Sequence, residues 1–142
     1  MVFTNKKNRV IFYEKTGCAG NQRQKKVLIS QGIKFEVRSL LDTTWDARSL
    51  SDFFEDLPKT QIVNESAPKI KNNEIDVDTL SKDELISLMC KDPILIKRPL
   101  LEIDEEKVCG FDIEKINQIL NSKIDETLEI PTCLSDDKCK IV

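Results

Sequence analysis

Cys18 stands where a thiol gains reactivity. It follows the nearly continuous apolar run Arg9-Val10-Ile11-Phe12-Tyr13 and lies in the loop Glu14-Lys15-Thr16-Gly17-Cys18-Ala19-Gly20-Asn21, directly ahead of a helical pattern. A helix N-terminus carries a positive partial charge and free N–H groups, and both stabilise a thiolate against its free pKa of about 8.5. Lys15 adds positive charge nearby. Gly17 and Gly20 let the backbone around Ala19 and Asn21 turn its N–H groups inward as an anion nest. The chemistry expected is nucleophilic attack by a thiolate or formation of a mixed disulfide. An inert buried cysteine at a tight turn is the bland alternative. A tyrosine-phosphatase loop is excluded: the residue six after Cys18 is Gln24, and Arg23 is one place early. One residue on a helix rotates a side chain by about 100°.

Arg98-Pro99 is the second candidate. Pro99 precedes a predicted strand, where thioredoxin-like folds use a cis-proline beside the thiol. Arg98 then points a bidentate guanidinium at an anion near Cys18. A solvated loop cation and a proline that merely starts a strand fit the same residues. Other chemistry falls away by composition. With no histidine in the chain, Ser–His–Asp and Cys–His catalysis and histidine metal ligands are excluded, and no metal site is expected. The other cysteines are Cys90 in the last turn of a helix, Cys109 on an apolar strand, and Cys133 and Cys139 near the end. Five cysteines with no C-x-x-C pair are not a disulfide framework. Cys133 and Cys139 read as exposed thiols, with resolution of an intermediate on Cys18 as the other reading.

The elements that must position these residues are legible from period and punctuation. The run at 9–13 reads as a central strand covered on both faces. Gln22 to Gln31 reads as a helix stopped by Gly32, and Lys34 to Leu40 alternates as a half-buried strand. A right-handed crossover makes the two strands parallel neighbours. Thr44 is expected to cap a helix through Leu50, Phe53, Phe54 and Leu57, ended before Pro58. Residues 59–78 are irregular. Ser81-Lys82-Asp83-Glu84 is a capping box opening a helix that stops before Pro93. Leu100 to Ile103 and Lys107 to Cys109 flank a short turn at Asp104-Glu105-Glu106 as a hairpin. Asp112 caps a last helix through Leu120. The order β-α-β, helical insertion, β-β-α is that of an α/β, thioredoxin-like fold.

With 142 residues the chain makes one domain, 1–121 with a helical insertion at about 44–92, and a polar, acidic tail over 122–142. Apolar residues at 39% and charged residues at 33% describe a globular chain without a membrane span. A net charge of −3 argues against direct nucleic-acid binding through phosphates. No signal peptide is visible, and the unpaired thiols point to a reducing cytoplasm. The oligomeric state is not legible.

Val10-Ile-Phe-Tyr-Glu-Lys-Thr-Gly-Cys18 followed by a helix, and Asp92-Pro-Ile-Leu-Ile-Lys-Arg98-Pro99-Leu, resemble the arsenate reductase ArsC/Spx family. Phe12 to Asn21, Phe53-Phe54, Asn64-Glu-Ser-Ala-Pro-Lys69, the Arg98-Pro99-Leu100 motif and Gly110-Phe-Asp112 are most similar to its nitrogenase-associated branch. The resemblance implies a thioredoxin-like fold with an inserted helical subdomain, Cys18 as nucleophile and Arg98 as an anion-binding arginine. It also implies no bound cofactor, glutathione as co-substrate, and glutaredoxin or a nitrogen-fixation protein as partner. The family's arsenate reductases hold the oxyanion with three arginines. The other two positions fall near Asn64 and Gly110, so arsenate reduction is expected to be weak or absent. Asn21 occupies the second position of the C-x-x-C switch used by Spx-type regulators. The expected function is a monothiol redox protein. A glutathione-dependent arsenate reductase and a non-catalytic Spx-like interaction protein are the alternatives.

Overall fold

Strand β1, Val10–Glu14, is buried at all five positions: the apolar run Val10 to Tyr13, then Glu14, whose carboxylate is paired with Lys25. The computed structural model describes residues 8–126. β1 is the pivot of a four-stranded sheet of order β2-β1-β3-β4. It pairs in parallel with β2, Glu36–Ser39, and antiparallel with β3, Leu100–Ile103, which forms the predicted hairpin with β4, Glu106–Cys109. Asp104 takes the left-handed conformation in the hairpin turn, φ 53°, which Asp tolerates better than a branched residue. With its helices this is the expected α/β, thioredoxin-like fold.

Side-chain alternation along β1 and β3 divides the interior into two cores. Ile11, Tyr13 and Leu100 face one core, which is completed by residues 40–96 and includes Trp45, Phe53, Phe54, Leu85 and Met89. Val10, Phe12, Leu101 and Ile103 face the other, covered by α1 (Ala19–Ser30) and α5 (Ile113–Leu120). The insertion therefore packs on one face of the sheet and the two long-range helices on the other.

The capping residues act as the sequence predicts. Ser81 and Glu84 form the reciprocal box at the start of α4, Lys82–Lys91. The Asp112 side chain accepts from the Lys115 N–H at 3.2 Å. Three expectations are corrected. α1 begins at Ala19 rather than Gln22, and Cys18, expected at the helix start, is its N-cap. The helix expected from Thr44 to Leu57 is only α2, Ala47–Ser51, capped by Asp46. Ser49 and Ser51 bond their hydroxyls to the Asp46 and Ala47 carbonyls, a competing use of the backbone that shortens the helix, and Phe53 and Phe54 pack from the turns that follow. β2 is shorter than Lys34–Leu40 and is not half-buried: it is the sheet edge, and Val37 is 44% exposed. The irregular stretch 59–78 holds one short helix, α3 (Pro68–Lys71), between single 3-10 turns.

The tail boundary at 122 also moves. Ile124 is buried in the second core, and Asn117 bonds both its N–H and its carbonyl, at 2.9 and 2.8 Å. Cys133 and Cys139 lie outside the described residues. Among those described, no helix is long and apolar enough to cross a membrane.

Candidate active site at the Cys18 cavity

The register of the sheet brings three segments to one place. Tyr13, near the end of β1, pairs with Leu100 at the start of β3, and Leu100 pairs with Cys109 at the end of β4. The loop leaving β1, the approach to β3 and the exit from β4 therefore meet beyond the carboxyl ends of the parallel strands, where open α/β sheets place ligands.

The first wall is the Cys18 loop. Gly17 turns it with φ +88°, a backbone conformation that favours glycine, and the Cys18 N–H donates to the Lys15 carbonyl at 3.0 Å. Cys18 itself is extended and caps α1: its Sγ accepts from the Asn21 N–H at 3.5 Å. The Asn21 side chain braces the loop from inside. Its Oδ1 accepts from the Lys15 N–H at 3.0 Å and its Nδ2 donates to Gln24 Oε1 at 2.9 Å. Asn21 and Gln24 are each 2% exposed, so these bonds satisfy amides that burial would otherwise penalise.

The second wall comes from the insertion. The Asn64 N–H donates to the Leu95 carbonyl at 2.8 Å, and the Lys97 N–H donates to the Ile62 carbonyl at 3.0 Å, making a one-rung bridge between Val63 and Ile96. Asn64 Nδ2 donates to the Ile94 carbonyl at 3.0 Å, while its Oδ1 accepts from the Ser66 N–H at 3.1 Å. This clamps residues 62–66 against the segment that leads into β3. The Arg98–Pro99 peptide bond is cis, as expected from the sequence.

Between the walls lies a cavity of about 210 Å³. Cys18, Gly20, Asn21 and Gln24 line it on the loop side, with Asn64, Ser66, Lys97 and Arg98 on the other. The Nε of Arg98 is buried. Of the predicted site residues, the structure thus brings Cys18, Gly20, Asn21 and Arg98 together. Lys15, Gly17 and Ala19 shape the loop but stand outside the cavity wall, and Pro99 is buried behind it, its carbonyl accepting from the Gly110 N–H at 2.8 Å. Lys97, Gln24 and Ser66 were not among the predicted site residues. The position of Lys97 next to Arg98 was its one available signal.

The resemblance sets a family arginine near Gly110. The φ of Gly110 is +80°, and a Cβ built there would lie 3.2 Å from Lys97 Cε and 3.6 Å from Lys97 Nζ. Lys97 fills that space and supplies a cation from the neighbouring segment. Gly110→Arg is therefore expected to destabilise the fold by about 1–2 kcal/mol, the cost of a left-handed non-glycine residue, and to displace Lys97. Denaturant unfolding measures the first effect. An unchanged midpoint would show that this backbone adapts at no cost.

The remaining described thiols are poorly placed for chemistry. Neither Cys90 nor Cys109 lines the cavity, and none of the three described cysteines is in a disulfide. Burial, with a smaller contribution from Asp46, raises the Cys90 thiol above its ordinary pKa. Burial pushes Cys109 up to about 12, against the smaller opposing pull of Lys97 and Lys115. Cys109 was read as a core residue. It is partly buried, packed against the first core, with its Sγ 3.8 Å from the Gln61 carbonyl.

A family model for the ArsC family matches residues 13–119, from β1 to the end of α5. The chain belongs to the ArsC family. A protein of Rhodospirillum rubrum, described as an uncharacterised 15.7 kDa protein in the draG 3′ region, is 37% identical over 126 residues, covering 89% of this chain and 88% of that one. The global transcriptional regulator Spx of Lactiplantibacillus plantarum is 24% identical over 124 residues, 85% of this chain and 92% of the regulator. Among solved structures, a possible arsenate reductase from Streptococcus mutans superposes with a TM-score of 0.65 at 24% identity, over 76% of this chain and 97% of that one. An ArsC-family related protein from Bacteroides fragilis gives 0.68 at 24% identity, over 78% and 96%. These structures establish a shared fold. The family places the chain among ArsC-like thiol redox proteins.

Proposed function

We propose that this ArsC-family chain is a cytoplasmic monothiol redox protein that works alongside nitrogen fixation, with Cys18 as its single redox-active thiol. One observation carries the reading. Among the described residues, Cys18 is the cysteine lining the cavity that carries the two cations Lys97 and Arg98, whereas Cys109 lines a separate hollow bordered by Glu55, Glu105 and Glu106. In the forward step the Cys18 thiolate attacks one sulfur of a disulfide. A new S–S bond to Cys18 forms as the old S–S bond breaks, and the electron pair leaves on the departing thiolate. A second thiol then attacks the mixed disulfide and restores Cys18. Lys97 and Arg98 attract the carboxylates of an anionic thiol such as glutathione, and the N–H of Asn21 already points at Sγ. Glutathione and glutaredoxin are the proposed exchange partners. The relative in the draG 3′ region supports the nitrogen-fixation side of the reading.

Glutathione disulfide tests it. Reduced protein is expected to gain one glutathione, mapped to Cys18 by peptide mass spectrometry, and to lose it again with glutaredoxin. A chain that takes up no glutathione, or takes it up at any other cysteine instead of Cys18, overturns the monothiol reading. It would leave the non-catalytic interaction reading, which the likeness to Spx regulators favours.

A further inference from the structure

The Cys18 cavity does not end at its own walls. Thr60, Val63 and Glu65 line both that cavity and a second hollow of about 490 Å³ over the insertion. The two therefore adjoin along that shared wall and have unlike linings. At the thiol end the charged groups are Lys97 and Arg98. At the far end the floor is Ile70, Ile75 and Val77, and the charged groups are Asp76 and Asp78, with Glu65 at the junction. All three carboxylates are on exposed residues. The nearby cation, Lys59, is turned into the backbone: its Nζ donates to the carbonyls of Val77 and Leu80 at 2.9 and 2.6 Å. Those bonds, with Asp76 accepting from the Asp78 N–H at 3.1 Å, hold the acidic turn in place without a ligand.

A small thiol needs only the first compartment. An apolar floor with an acidic rim, next to the cavity that holds a reactive sulfur, matches a longer molecule. We propose that the exchange partner of Cys18 is a protein cysteine in an extended segment that carries an apolar side chain and then Lys or Arg. The cysteine enters the cationic cavity, the apolar side chain covers Ile70, Ile75 and Val77, and the cations meet Glu65, Asp76 and Asp78. This rests on the proposed role of Cys18 and adds the class of its partner. The step is thiol–disulfide exchange on a partner cysteine already held in a mixed disulfide with a small thiol. Cys18 sulfur bonds to the partner sulfur, the bond to the small thiol breaks, and that thiolate leaves with the electron pair and takes a proton from water.

Synthetic peptides test it, each with one cysteine activated as its disulfide with 5-thio-2-nitrobenzoate, whose release is coloured. In one ladder a Val-Lys-Lys unit is moved stepwise away from the cysteine. In a second ladder the unit is Val-Glu-Glu. Activated glutathione is the small probe. At one spacing the lysine peptide is expected to react about tenfold faster than its glutamate counterpart, as two or three exposed ion pairs allow. That preference is expected to shrink at high salt and in the Asp76→Asn, Asp78→Asn variant, while the rate with activated glutathione stays unchanged. Equal rates for the two ladders at every spacing, with activated glutathione still consumed, overturn the peptide partner and leave Cys18 redox chemistry standing. Release from none of the probes overturns both.

Discussion

In a Cys133→Ser, Cys139→Ser background, Cys18→Ser is expected to abolish disulfide exchange at neutral pH, while Cys90→Ser and Cys109→Ser leave its rate unchanged. The nucleophile in such exchange is the thiolate, so a raised pKa silences a cysteine in proportion to the thiolate it lacks. Burial holds Cys109 at about 12, so that at pH 7.5 only roughly one molecule in ten thousand or fewer carries its thiolate. Cys90 is pushed the same way by burial and by Asp46. The direction with pH follows: alkylation of Cys109 in the native protein is expected to rise tenfold per pH unit up to about 12, and to become fast at pH 8 only after unfolding. Mass-resolved alkylation with iodoacetamide separates the sites. Retention of half or more of the exchange rate in Cys18→Ser would show that another thiol carries the chemistry.

The parts of this site that the sequence showed are those built from neighbours in the chain. The loop from Lys15 to Asn21 is punctuated by Gly17 and led by a buried strand, and the cap at Ser81 and the cap at Asp112 are written within four residues each. The Arg98–Pro99 motif was legible through resemblance. Its place beside the thiol follows from the Tyr13–Leu100 register, which a sequence can suggest only through fold. The far wall was not legible. Asn64 reaches Ile94 and Leu95 across a sequence separation of 30 residues, and no local pattern marks that contact. Lys97 enters the cavity because Gly110 leaves it room, a relation between two strands' ends. The error at 44–57 has a local cause: the serines that looked compatible with a helix use their hydroxyls on its own carbonyls. The error at β2 is topological. Alternation signals a half-buried strand, but at the sheet edge Val37 stays 44% exposed.

Phe54→Ala is expected to cost about 3–5 kcal/mol and to lower the melting temperature by roughly 10 °C or more. Phe54 is fully buried in the core between the sheet and the insertion, and its carbonyl accepts from Lys82 Nζ at 2.6 Å, tying the turn after α2 to the start of α4. The same core holds the rings of Tyr13, Trp45 and Phe53, 5.0–6.2 Å apart, and a close-packed interior relaxes only in part around a deleted ring. Val37→Ala, at 44% exposure on the edge strand, is the control and is expected within about 0.5 kcal/mol of the parent. The damage is expected to be one-sided. Hydrogen exchange should quicken first at the Asn64 and Lys97 amides, which bridge the insertion to the approach of β3, and last in β1 and β3, which the second core also holds. Since those two amides fix the wall of the Cys18 cavity, exchange chemistry is expected to slow in the still-folded variant. A Phe54→Ala protein that melts within two or three degrees of the parent, or whose β1 amides open before Asn64, would show that the insertion does not depend on this core and that the cavity wall is held by other means.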